Sequence, residues 1–289
     1  MIDSKCLTTK EVARLCRVSD ATVKRWEEAG LIKSERTSGG HRRFRAEEVA
    51  RFQNEQKLGV KQKVGDESVI TAQCRRRVKK EYSDSELFHS MIAGREEEVA
   101  NIIINEFINE KPLCRIFDEM IAAQMQQIGE LWFEGKLSVA QEHLATRATM
   151  SALHKLRSIL PPVESSNKLL ICCGIEGDFH ELSTHLVQMI FERKGWEVLN
   201  FGANTPLFSL IDEVLHYQPQ MLCISSTVIE NIERFSRDYK SFLETMEKSK
   251  TSIILGGKAF DNETMKNRFP ADFYPQNFTE LSEIVSAQV

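Results

Sequence analysis

One candidate site follows the apolar run 168–174, where Asp178 precedes His180 by two residues. A single histidine in a loop is more often solvated or hydrogen-bonded than functional. At this position, however, an imidazole could coordinate a metal through one nitrogen. A nearby carboxylate could orient the other nitrogen and raise the basicity of the ring. The pair is therefore a candidate metal ligand with an orienting carboxylate just after the first strand of an α/β domain, and a merely hydrogen-bonded histidine is the alternative.

This segment resembles the cobalamin-binding domain of methionine synthase and related proteins, whose pattern is Asp-x-His-x-x-Gly, then Ser-x-Leu or Ser-x-Thr, then Gly-Gly. Three matching elements occur in this order, namely Asp178-Phe179-His180, Ser225-Ser226-Thr227 and Gly256-Gly257. The resemblance implies that His180 is the lower ligand of the cobalt. It also implies that Asp178 is the hydrogen-bonding partner of that histidine.

The resemblance gives the later elements roles toward the nucleotide tail of cobalamin. Ser225 and Thr227 would bond the tail, and Gly256 and Gly257 would let the backbone approach it closely. The chain departs from the pattern at Ser183, where the family has glycine. A side chain there could crowd the tail.

The first 58 residues show a pattern typical of DNA recognition. Thr8 and Glu11 make a capping-box-like start to a first helix. After a tight turn, Ser19 can cap a second helix over residues 20–29, which Gly30 ends. In a helix-turn-helix the second helix enters the major groove. The residues that we expect it to place on DNA are Thr22, Lys24 and Arg25.

A basic hairpin is predicted to follow these helices. Gly39 and Gly40 can form its tip, and donor side chains surround Phe44, as in a wing that lies on phosphates. We expect Trp26 and Phe44 to be core residues. The alternative for the wing arginines is a merely solvated face. The expected DNA contacts of the wing are His41, Arg42, Arg43 and Arg45.

The head resembles the winged helix-turn-helix domain of the MerR family. The segments that carry the resemblance are 7–13, 22–32 and 39–44. It implies binding to double-stranded operator DNA by paired heads on a two-fold site. Metal-sensing relatives carry cysteines in a long dimer helix, and nothing here matches them.

A third motif lies between these regions, where nine residues separate Trp132 from Glu142-His143. Taken alone, the tryptophan would be a core residue and the pair a polar spot on a helix. Directly before a cobalamin domain, the spacing resembles light-sensing regulators of the CarH and LitR type. The resemblance implies that these three residues cover the 5′-deoxyadenosyl group on the upper side of cobalamin. Phe133 stands where some relatives have a histidine that ligates cobalt after photolysis.

Periodicity predicts how these sites are positioned. Apolar residues at three- and four-residue steps indicate a helical bundle, and buried strands alternating with helices indicate a parallel sheet with ligands at its carboxyl edge. The predicted fold is an all-α winged head, a bundle and a doubly wound, Rossmann-like α/β domain. The segments are a head over 1–58, a flexible basic linker over 59–85, a bundle that caps cobalamin over 86–162 and a cobalamin-binding domain over 168–289.

Composition agrees with a nucleic-acid-binding head on an acidic body. Residues 1–80 hold 20 Lys and Arg against 11 Asp and Glu, a net charge of +9, whereas the rest holds 18 against 31, or −13. We find no apolar run approaching the roughly 18 residues of a membrane span and no apolar signal-peptide core. The seven cysteines form no C-x-x-C pair. These features favour a cytoplasmic protein without disulfides or a membrane partner.

Taken together, these resemblances imply a transcriptional repressor rather than an enzyme. It would bind adenosylcobalamin, with its cobalt, and respond through it to light, and it would form a homo-oligomer, either a dimer or a tetramer. One alternative is a sensor of cobalamin level, and another is a repressor that works without the cofactor. A corrinoid methyltransferase subunit or mutase fragment would not need a DNA-binding head.

Overall fold

The computed structural model describes residues 6–16, 18–56, 85–246 and 249–288. The chain divides into two compact units, Met1–Pro162 and Val163–Val289. The predicted linker lies outside the described residues except for Ser85, which caps the helix that follows it. Among the described residues, no helix is long and apolar enough to cross a membrane.

The head of the first unit combines three helices with a small antiparallel sheet. Its elements are β1 (Cys6–Thr8), α1 (Thr9–Leu15), α2 (Asp20–Glu28), β2 (Glu35–Arg36), β3 (Arg42–Arg45) and α3 (Ala46–Gln56). The strands pair in the order β1-β3-β2. The expectation of an all-α head is therefore corrected. The predicted hairpin forms, with a positive φ at Gly40, and β1 adds a third strand to it.

Side-chain caps and a small core fix the helices of the head. Thr8 and Glu11 form a capping box on α1, and the Ser19 side chain accepts a hydrogen bond from the Thr22 N–H at the start of α2. Both caps are where the sequence predicts them. The core of the head includes Val12, Leu15, Val23, Ile32, Phe44, Val49 and Phe52.

The rest of the first unit is the predicted helical bundle. Its elements are α4 (Glu86–Ile92), α5 (Glu96–Ile108), α6 (Leu113–Ile116), a π-helical turn (Phe117–Ala122), α7 (Ala123–Phe133) and α8 (Val139–Ile159). The long α8 starts with a capping box between Ser138 and Gln141. It packs against α4, α5 and α7 and so holds the bundle together.

The head packs on the bundle through α1 and α3, both of which contact α5. The amide of Gln53, on α3, is buried and donates to the Leu15 carbonyl and to Asn105 Oδ1, both at 3.1 Å. Nearer the surface, Glu97 of α5 pairs with Arg14 of α1 at 3.4 Å. The head is thus attached to the bundle by side chains.

The second unit is a doubly wound α/β domain, as predicted. Its strands β4 (Leu169–Gly174), β5 (Glu197–Asn200), β6 (Met221–Ser225) and β7 (Ser252–Gly256) are parallel, in the order β5-β4-β6-β7. The helices are α9 (Leu182–Glu192), α10 (Leu207–Tyr217), α11 (Ile232–Met246), α12 (Glu263–Arg268) and α13 (Phe278–Ala287). From β4 the chain continues to β5 on one side of the sheet, and from β6 it continues to β7 on the other side. Ligands bind at such a switch point.

One predicted strand is missing from the described part of this unit. The sequence predicts a weaker strand–helix pair near residues 271–289, but in place of the strand Phe273 makes a single parallel bridge with Ile254. Asp272 instead accepts a hydrogen bond from the Ile253 N–H through its side chain. Pro270 and Pro275 flank the bridge, and proline has no N–H to donate to a ladder.

Candidate functional site

Three loops meet at the carboxyl edge of the parallel sheet, the edge where β4, β5 and β6 end. Asp178, which follows β4, is 3% exposed and joins these loops. Its Oδ2 accepts hydrogen bonds from the backbone N–H groups of Thr227 at 2.5 Å and Val228 at 3.3 Å, after β6. Its backbone carbonyl accepts one from the Asn204 N–H at 3.0 Å, after β5. One buried residue therefore fixes all three loops.

The same carboxylate holds His180. Oδ1 of Asp178 lies 2.6 Å from Nδ1 of the ring, while the histidine side chain stays 58% exposed. Burial would raise the pKa of Asp178, but hydrogen bonds from His180 and Thr227 outweigh it and hold that pKa below its ordinary value. The carboxylate is therefore ionised at neutral pH. An imidazole held in this way at Nδ1 could coordinate a metal through Nε2.

The other residues predicted for this site lie at the ends of β6 and β7. Ser225 is buried, and its hydroxyl is 2.8 Å from that of Ser183 on the first turn of α9. Gly256 is the register partner of Ser225, and a Cβ there would meet no heavy atom within 4 Å. Gly257 has φ +92°, and a Cβ on it would lie 2.3 Å from the Ser226 carbonyl oxygen. Gly256 therefore leaves open space, whereas position 257 needs glycine because its backbone conformation leaves no room for a Cβ.

The donor set of this edge suits a metal that brings its own ligands. No cluster of three or more His, Cys, Asp or Glu side chains that could hold a bare ion occurs in the described part of the chain. A single oriented imidazole can still ligate cobalt that a corrin ring already holds. The open space at Gly256 and the hydroxyl of Ser225 suit a bulky ligand with a polar tail. The residues present therefore fit cobalamin.

The bundle residues lie on successive helices, as predicted. Trp132 is near the end of α7 and 46% exposed, so it is not a core residue. Glu142 and His143 are on the first turn of α8, and the Glu142 carboxylate lies 3.6 Å from His143 Nε2 and accepts a hydrogen bond from Thr146 Oγ1. Phe133 is 86% exposed. These side chains thus offer an aromatic and polar surface.

The recognition helix presents its predicted residues near its start. Lys24 and Arg25 are exposed on α2, and Lys24 forms no ion pair with any described residue. The Thr22 hydroxyl lies 2.9 Å from Ser19 Oγ and 3.5 Å from Arg25 Nη2. The helix can therefore offer two cations to DNA.

The four residues predicted for the wing differ in their surroundings. Arg42 donates to Glu27 at 2.9 Å and to Glu28 at 3.2 Å, and its side chain is 18% exposed. Arg45 pairs with Glu35 at 2.6 Å. Arg43 donates to the Arg42 carbonyl and has no ion pair with the described residues, and His41 is exposed. Arg42 therefore braces β3 against α2.

The sequence analysis did not predict the contacts that two residues make at these sites. Glu27 anchors the wing, and the hydrogen bonds from Arg42 and Ser34 hold its pKa below the ordinary value. Ser183, which the sequence analysis expects only to crowd the nucleotide tail, forms a hydrogen bond with Ser225. Local sequence patterns carry no signal for such contacts.

Two family models match parts of this chain. A model of the MerR family regulatory protein matches residues 8–44, and a B12 binding domain model matches residues 84–157. The second match covers the bundle.

Two relatives match larger parts of the chain. The HTH-type transcriptional repressor CarA of Myxococcus xanthus is 25% identical over 261 residues, which cover 87% of this chain and 86% of CarA. The dimethylamine corrinoid protein of Methanosarcina barkeri is 23% identical over 201 residues, 68% of this chain and 92% of that protein.

A solved structure has the same fold in the region it shares with this chain. The monomethylamine corrinoid protein of Methanosarcina barkeri superposes with a TM-score of 0.60 at 15% identity, over 71% of this chain and 97% of that protein. This likeness concerns the bundle and α/β fold alone. Together, the matches support a regulator that binds DNA and cobalamin. The chain joins a MerR-type helix-turn-helix domain to a B12-binding domain, and it is a homologue of the transcriptional repressor CarA.

Proposed function

We propose that this protein is a transcriptional repressor that binds adenosylcobalamin and responds through it to light. The observation that carries the proposal is the arrangement at the carboxyl edge. There a buried carboxylate orients an exposed imidazole, and the same edge has open space at Gly256. The same chain carries a recognition helix. A corrinoid enzyme subunit would have no use for that helix, so we propose no catalytic role.

Each predicted residue of the edge has a distinct task toward the cofactor. His180 would ligate the cobalt through Nε2, and Asp178 would keep the ring in the required tautomer. Ser225 and Thr227 would bond the nucleotide tail. Gly256 and Gly257 would leave room for it and keep the backbone of the β7 end in place.

The bundle would distinguish one form of the cofactor from another. Adenosylcobalamin supplies a cobalt–carbon bond that visible light breaks. Trp132 can stack on a nucleoside, and Glu142 and His143 can hydrogen-bond to it, in a way they cannot enclose a water or methyl ligand. Such differential affinity is what a switch between two assemblies requires. We propose that the adenosyl form favours a DNA-binding dimer or tetramer.

The metal ligand can be tested by absorption titration in the dark. We expect His180→Ala to weaken binding of adenosylcobalamin or to change the cobalt spectrum. His216→Ala, which removes an exposed histidine from α10, should do neither. An unchanged affinity and spectrum in His180→Ala would contradict the assignment.

Light response can be tested on one sample before and after illumination. We expect adenosylcobalamin to promote a larger assembly and tight binding to duplex DNA that the protein has selected from a random library. Visible light should reverse both, and Trp132→Ala should weaken the effect. Equal size and affinity in light and dark would remove the photoreceptor and leave a cobalamin-level sensor or a cofactor-free repressor.

A further inference from the structure

The hydroxyl that we assign to the nucleotide tail already has a partner. Ser225 Oγ lies 2.8 Å from Ser183 Oγ, although 42 residues separate the two serines. Ser183 also approaches the carbonyl of His180, with its Oγ 3.4 Å from that oxygen. A serine hydroxyl has a single proton. When Ser183 donates to the carbonyl, Ser225 must donate to Ser183.

This pair lies beside the open space described above. Ser225 and Gly256 are register partners on adjacent parallel strands, so their Cβ positions are on the same face of the sheet. A Cβ added to Gly256 would meet no heavy atom within 4 Å. Ser183 comes from α9, which contacts β4 and β6. A ligand that entered this space and accepted a proton from Ser225 would therefore compete with Ser183.

We propose that Ser183 limits how strongly this site binds the nucleotide tail of a corrinoid. The inference rests on the proposed function, because it requires a corrinoid at the carboxyl edge. Ser183 lowers the contribution of the tail by holding the proton of Ser225. It thereby makes the protein less selective between complete cobalamin and a corrinoid without a tail.

The test compares two ligands that differ in the tail. Affinities for aquocobalamin and for cobinamide, which lacks the nucleotide, are measured by absorption titration in the dark. One net hydrogen bond corresponds to a factor of about three to ten in affinity. We expect Ser183→Ala to raise the cobalamin-to-cobinamide affinity ratio by this factor. Ser183→Gly should raise it at least as much, and the control Ser209→Ala, an exposed serine of α10, should leave it unchanged.

Repeating the Ser183 substitution in a Ser225→Ala protein distinguishes competition for the Ser225 proton from a structural effect of the substitution on α9. In a Ser225→Ala protein, Ser183→Ala should have no effect on the ratio, because the contested proton is gone. An unchanged or lower ratio in Ser183→Ala, or an equal rise in the Ser225→Ala background, would overturn the inference while leaving the proposed function standing. Failure of both corrinoids to bind the unaltered protein would overturn the proposed function and this inference with it.

Discussion

The arginines of the wing show how the surroundings of a residue decide its role. Arg42 is mostly buried and bonded to Glu27 and Glu28, so turning toward a phosphate would break both of these ion pairs. Arg43 has no such commitment among the described residues. The sequence analysis predicts DNA contacts for both arginines. From their surroundings we expect Arg43 to contact phosphate and Arg42 to hold the wing in place.

Substitution of the two arginines should separate these roles. Arg43→Ala should weaken binding to all duplexes alike and reduce the slope of log affinity against log salt by about one, since one phosphate contact is lost. Arg42→Ala should lower the free energy of unfolding by about 1.5–3 kcal/mol, the range for hydrogen bonds to charged groups. Salt-dependent binding and urea unfolding measure the two effects. Identical behaviour of the two variants would contradict the division.

The carboxylate of Glu27 predicts a pH dependence of stability. Its pKa is lower in the folded state, so the unfolded chain binds more protons between the two pKa values. The ion pair therefore stabilises the fold fully above the unfolded pKa, and this contribution is lost as the pH falls through the folded pKa. Glu27→Gln should be less stable at pH 7 and lose less stability on acidification to pH 3. Urea unfolding at each pH tests this prediction, and Glu47→Gln on α3 is the control for the loss of one charge. The prediction is contradicted if the stability of Glu27→Gln and of the unaltered protein changes with pH in the same way.

At the scale of elements, the two adjacent glycines after β7 serve different purposes. Gly257 has a left-handed backbone and no room for a Cβ, so Gly257→Ala should destabilise the fold by more than about 1 kcal/mol. Gly256→Ala meets open space and should leave stability nearly unchanged but weaken cobalamin binding. Thermal unfolding without cofactor and absorption titration with it provide the two readouts. Equal stability losses in both variants would show that the space is not as described.

The elements themselves were largely predictable, because continuous apolar runs and three- or four-residue spacing are local signals. The Asp178–His180 pair was predictable for the same reason, being two residues apart. In contrast, the bond between Ser183 and Ser225 and the one between Arg42 and Glu27 join residues 42 and 15 positions apart. Such contacts depend on topology. The strand expected near Phe273 is reduced to a single bridge between two prolines, where the side chain of Asp272 also accepts a hydrogen bond from the Ile253 N–H.

At the scale of the molecule, the proposed function requires a cofactor signal to reach the recognition helix. Within the first unit, α3 of the head is joined to α5 of the bundle by the bond from Gln53 to Asn105. The Gln53 side chain is 3% exposed, so water does not readily replace that partner. If the bundle responds to the adenosyl group, this contact offers a direct route to the head. The linker sequence need not transmit the signal.

Asn105→Ala should therefore reduce the coupling between the cofactor and DNA, while the affinity for each ligand in the absence of the other stays unchanged. The coupling is the ratio of DNA affinities with and without adenosylcobalamin in the dark. Loss of one buried hydrogen bond of about 1 kcal/mol should bring that ratio about fivefold closer to one. Asn101→Ala, on the same helix, is the matched control. Cobalamin affinity, measured by absorption, should be equal in the three proteins. If Asn105→Ala keeps the full ratio, the head receives its signal by another path, and the contact with α5 serves stability alone.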